Sequence, residues 1–127
     1  MREILFRGKT EQGEWVYGLL DCHYTRPNEK YYHIHDCETD DTEYAVIPET
    51  IGQFTGLTDK NGKKIFEGDI IKIYWKDSVL TIGDIRYDEN MCRFVVAEDF
   101  LYPYAFDNTT PFEVIGNKWD NPELLGE

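Results

Sequence analysis

Turn markers recur every eight to twelve residues or so along this chain, and no window sustains a 3.6-residue apolar period capped at both ends. That spacing leaves room for strands and almost none for helices. Aromatic residues make up 15% of the 127 positions, and together with Ile and Val they favour half-buried, pleated surfaces. The chain is therefore expected to be mainly β: an N-terminal β-hairpin, a small SH3-like barrel or meander, and a short C-terminal helical turn.

The local text gives the order of the pieces. Residues 3–7 read as a first strand and 8–13 as a turn. Residues 14–20 follow, with Trp15, Tyr17 and Leu19 on one face at period two and Gly18 marking a bulge or a close backbone approach. The pattern dissolves over 21–30, where Arg26-Pro27-Asn28 reads as a loop tip. Short strands are expected at 31–35 and 44–47, separated by an acidic stretch. Asn61-Gly62 carries the signal of a tight hairpin turn, because Gly accepts the positive φ such turns require. Glu67-Gly68-Asp69 turns again. Strands at 69–75, 79–87 and 91–96 then form a meander of the kind that curls into a small barrel. Phe100, Tyr102, Tyr104 and Phe106 alternate like a strand and are read as a barrel lid or a subunit interface. Residues 113–117 make a last strand, and Asn121-Pro122 opens a helical turn with Asn as its cap.

A chain this long buries roughly two-thirds of its unfolded surface, so one domain is expected, with possible lobes at 1–48 and 49–127. No stretch approaches the ~20 apolar residues of a membrane helix. The N-terminal residues lack the apolar run of a signal peptide. Cys22, Cys37 and Cys92 are odd in number and form no Cys-x-x-Cys pair, which argues against a disulfide framework. A soluble protein of the bacterial cytoplasm, with no membrane partner, is the expectation.

Three blocks carry a family likeness. They are Phe6-Arg7-Gly8 with Trp15-Val16-Tyr17-Gly18, the long run from Thr50 through Ile70, and Glu113-Val114-Ile115-Gly116-Asn117 with Asn121-Pro122-Glu123-Leu124-Leu125. In this order they resemble the YopX family of small proteins, found mainly in bacteriophages and prophages. The resemblance implies a phage or prophage accessory protein and supplies no catalytic residue to carry over. Residues 21–43 match the pattern least.

Charge narrows the function classes. Thirteen basic against 25 acidic side chains leave a net charge of −12, and a uniformly acidic body repels phosphate. From Tyr31 to Asp59 there is no Lys or Arg, against Asp36, Glu38, Asp40, Asp41, Glu43, Glu49 and Asp59. A face of that sign could mimic nucleic-acid charge and inhibit a host DNA-binding enzyme; a solvated loop is the plainer account. The opposite sign collects at Lys60, Lys63, Lys64, Lys72 and Lys76, with Tyr74 and Trp75 beside them for stacking. Three uses are open to this hairpin: weak nucleic-acid binding, protection of an edge strand, or docking on the acidic stretch of a second copy.

His33, His35 and Cys37 stand at i, i+2 and i+4, on one face of a strand, and Cys22 with His23 on the preceding segment could complete a tetrahedral zinc site. The spacing is not a standard zinc pattern, and an exposed hairpin carrying these residues without metal is the competing reading. No other cofactor is expected. Ser78 is the only serine and has no histidine near it in sequence, and no Gly-rich phosphate loop is present. The expectation is thus a protein that acts by binding, not catalysis, as a homo-oligomer, with a host or phage protein as the other candidate partner.

Overall fold

The computed structural model describes residues 3–26, 29–36, 38, 42–97, 104–105 and 111–126; for Thr25, Arg26, Trp75, Tyr104 and Ala105 it describes the backbone alone. The chain packs as two compact units, Met1–Phe54 and Thr55–Glu127. Both are built from antiparallel strands, and among the described residues the helical content is two short 3₁₀ turns, Pro48–Thr50 and Pro122–Leu125.

The first unit is a sheet of β1 (Phe6–Lys9), β2 (Trp15–Arg26), β3 (Glu29–Asp36), β4 (Thr42–Ala45) and the start of β5 (Gly52–Thr58), in the order β4-β3-β2-β1-β5. β2 runs straight through the region where the sequence pattern dissolves. The reason is visible in its burial: near the hairpin tip Asp21, His23 and Tyr24 are exposed, so neither face imposes the apolar alternation that marks a half-buried strand. Trp15, Tyr17 and Leu19 share one face of β2, as period two predicts, and it is the more open face. Tyr17 and Leu19 are 44% and 50% exposed, and the better-buried side is that of Val16, Gly18, Leu20 and Ile34. Gly18 is a close backbone approach, since a Cβ there would lie 2.0 Å from the His35 carbonyl oxygen. Thr50 fastens the unit's return: its hydroxyl donates to the Ile47 carbonyl at 2.6 Å and accepts from the Lys9 amide at 2.8 Å.

In the second unit the end of β5 pairs with β6 (Lys64–Phe66). The main sheet contains β7 (Asp69–Trp75), β8 (Ser78–Asp88), β9 (Arg93–Ala97), β10 (Tyr104–Ala105) and β11 (Phe112–Asn117), in the order β10-β9-β8-β7-β11. The expected β7-β8-β9 meander is present, and the fold is mainly β as read. The sheet stays open and is not a closed barrel: β11 pairs with β7, and β10, two residues long, pairs with β9. Ile65, Ile71, Ile73, Ile85, Val96 and Phe112 form the core on one face. At full burial each side chain of this kind contributes roughly 1.5–3 kcal/mol.

The C-terminal 3₁₀ turn follows Asn121 as expected, with Pro122 in its first turn, but Asn121 does not cap it. Its side-chain oxygen instead accepts from the Asn117 amide at 3.2 Å, tying the turn to the end of β11. Of the aromatic stretch, Phe100, Tyr102 and Phe106 lie outside the described residues.

Candidate functional site

The long block from Thr50 through Ile70 holds the most motif-like text, and its acidic residues are spent on turns. Asp59 sits in the β5–β6 turn, 7% exposed. Its Oδ1 accepts from the amides of Asn61 and Lys63, both at 2.9 Å, and its Oδ2 from the amide of Val114 on β11 at 3.0 Å. Burial pushes this carboxyl up, and the three amides with the Lys63 charge outweigh it, so its pKa lies below the ordinary value. Asp69, 2% exposed, accepts from the Phe66 amide at 2.8 Å. Gly68 between them has φ +87° and would place a Cβ 2.2 Å from the Trp119 ring. These groups build a frame of turns that holds β5, β6, β7 and β11 together.

The lysine cluster divides. Lys60 Nζ lies 3.1 Å from Glu113 Oε2 and 4.2 Å from the Tyr74 ring centre. The Tyr74 hydroxyl donates to the same Oε2 at 3.1 Å. The bond to Glu113 holds the Lys60 ammonium above its usual range, and Lys60, then Tyr74, hold the Glu113 carboxyl below its own. Lys72 stands opposite Glu113 in the β7–β11 register. Lys60, Lys72 and Tyr74 are therefore gathered around an acid that the sequence reading did not single out. Lys63 and Lys76 are exposed on the turns before β6 and after β7, and Lys64, also exposed, opens β6. The Trp75 side chain lies outside the described residues. On the same arm Val79, Leu80 and Ile82 are 48%, 49% and 37% exposed, which leaves an apolar strip beside the Lys76 turn.

In the first unit the β2–β3 register sorts the proposed zinc ligands. Asp21 faces His33 and Leu19 faces His35, whereas Cys22 faces Tyr32. Directly opposed residues share a face, so His33 and His35 project from one side of the sheet and Cys22 from the other. Cys37 lies outside the described residues. The register brings other donors to the histidine face. His23 Nε2 stands 3.0 Å from Asp21 Oδ2, and Glu43 of β4 reaches over β3 so that one donor atom each of Asp21, His23 and Glu43 lies within 4.8 Å of the others. The His33 ring packs edge-on against His23 at 5.1 Å, and its Nδ1 is buried without a hydrogen-bond partner. The signal in the sequence was Asp21-x-His23, whose i, i+2 spacing puts both side chains on one face; Glu43, far along the chain, had none.

A cavity of about 460 Å³ in the same unit is lined by Glu11, Lys30, Tyr32, Val46 and Pro48, among others. A hydrogen bond to Tyr32 raises the Lys30 pKa, with nearby Cys22 adding to the shift.

Among the described residues no helix is long and apolar enough to cross a membrane. No curated protein matches the chain. Among solved structures it is similar to one described as the crystal structure of protein EF1440 from Enterococcus faecalis. The two are 24% identical, with 98% of this chain and 99% of that one covered and a TM-score of 0.54, a likeness of fold. The family model described as YopX protein matches residues 5–126, nearly the whole length. The chain belongs to the YopX family.

Proposed function

We propose that this protein is a phage or prophage accessory protein of the bacterial cytoplasm that works by binding, and that its first partner is a second copy of itself. The observation that carries the reading is the apolar strip of Val79, Leu80 and Ile82 on the β7–β8 arm. Large apolar side chains left half in water close together on one strand gain by being covered. Charge complementarity points to a second copy as the cover. Lys63, Lys64 and Lys76 are exposed on the second unit, and Asp36, Glu38 and Glu43 lie between the end of β3 and β4, over a stretch without Lys or Arg. Opposite fields of this kind steer association and fix its register.

The frame residues support binding over catalysis, because Asp59 and Asp69 are committed to backbone amides. Nucleic acid is the less supported partner for the lysines. Lys60 and Tyr74, which would hold a phosphate and stack a base, are both engaged by Glu113.

Sedimentation velocity on the full chain and on a Leu80→Asp/Ile82→Asp variant tests this. The parent is expected to sediment as an oligomer and the variant as a monomer with an unchanged circular dichroism spectrum. A parent that sediments as a 15.0 kDa monomer, or a variant that associates as the parent does, overturns the proposal.

A further inference from the structure

We propose that Asp21, His23 and Glu43 form a binding site for a divalent ion of the zinc class, packed against the ring of His33. The site is different from the Cys22/His33/His35/Cys37 set suggested by spacing, because the sheet register separates Cys22 from the histidines.

Four features converge. First, the donors come from strands separated by β3 in the sheet, β2 and β4, yet they meet above it. Second, the set is chemically mixed: imidazole and carboxylate oxygen are both ordinary zinc ligands. Third, the spacing is close to what an ion needs. A tetrahedral ion with bonds of about 2.1 Å sets its ligands about 3.4 Å apart. Asp21 Oδ2 and His23 Nε2 already stand 3.0 Å apart, and Glu43 can close the remaining gap by rotation about its three side-chain bonds. Fourth, two carboxylates are drawn together in a chain of net charge −12, an arrangement that repels itself until a cation is added.

His33 provides the independent observation. A buried ring nitrogen without a partner is costly and uncommon, and Nδ1 of His33 is one. His33 lies directly opposite Asp21 in the register and touches the His23 ring. It shares the face of the sheet on which the other three meet. An ion here would tie the edge strand β4 to β2 across β3.

The test is calorimetric titration of the tag-free full chain with Zn²⁺ and with Co²⁺, using Mg²⁺ as the control. One ion per chain is expected, with a dissociation constant in the micromolar range or tighter. His23→Ala and Glu43→Gln each weaken binding at least tenfold, His33→Ala weakens it too, and Cys22→Ser/Cys37→Ser leaves it unchanged. Asp21, His23 and Glu43 are exposed, so substitutions there spare the fold, which circular dichroism verifies. Absence of Zn²⁺ and Co²⁺ binding, or binding that His23→Ala and Glu43→Gln leave intact, overturns the proposal. So does a thiolate-to-cobalt charge-transfer band that disappears in the cysteine variant, since that assigns the ion to the sulfur ligands.

Discussion

Replacing Asp59 by Ala removes the acceptor for three backbone amides at once: Asn61, Lys63 and Val114. The cost follows from where those amides lie. Asn61 and Lys63 are exposed and can turn to water, so each loses the net worth of a hydrogen bond, about 0.5–1.5 kcal/mol. Val114 is partly buried, and leaving its amide unpaired costs about 1–3 kcal/mol. Together these give about 4 kcal/mol, a large part of a stability of about 5–15 kcal/mol, the range typical of native proteins. For 127 residues melting together the unfolding entropy is about 0.27 kcal/mol per kelvin, so the midpoint falls by about 15 °C. Asp59→Asn keeps one oxygen for Asn61 and Lys63 but turns an amide donor toward the Val114 N–H, and is expected to cost about 2 kcal/mol.

Acid provides the second arm. The folded pKa of Asp59 is depressed, so its stabilisation is complete above the unfolded value near 3.9 and is lost as pH falls through the folded value. The gap between parent and Asp59→Asn should therefore shrink when urea midpoints are compared at pH 7 and at about pH 3. An Asn variant within about 0.5 kcal/mol of the parent at pH 7, or a gap that does not change with pH, refutes the assignment of Asp59 as an ionised turn clamp.

Two further perturbations probe the same unit. Gly68→Ala combines a positive φ with a Cβ inside the Trp119 ring; it should cost about 3 kcal/mol or more in urea unfolding and quench or shift the tryptophan emission. Lys76 holds φ 54° in the β7–β8 turn, so Lys76→Gly should stabilise the chain by about 0.5–1 kcal/mol in the same assay. A Lys76→Gly variant less stable than the parent contradicts that backbone reading.

What the sequence revealed, and what it hid, follows from the range over which each signal acts. The Asn61-Gly62 turn, the Gly68 turn and strand β7 are local: a few consecutive residues fix their backbone, and the structure has them where the text placed them. β2 is the counterexample. Its outer half lies exposed, and without a buried face there is no period-two alternation to read. Period two put Trp15, Tyr17 and Leu19 on one face of β2 but did not say which face is inward; the packing of Gly18 against His35 and of Ile34 beside it shows it to be the other. The candidate sites depended on longer range still. Lys60 was visible as a charge, but Glu113, which engages it, is 53 residues away and joins it only where the β5–β6 turn hydrogen-bonds to β11. Cys22 and His33 looked like partners until register, a property of two strands together, set them on opposite faces.

The central claim is that the exposed apolar arm and the opposed charges are used for self-association. Light scattering coupled to size exclusion, on a dilution series of the unmodified chain at about 50 and 500 mM salt, tests it most directly, because a tenfold rise in salt shortens the screening length about threefold. An oligomer at low salt that weakens at high salt is the predicted result. A mass of 15.0 kDa at every concentration and both salts contradicts the claim.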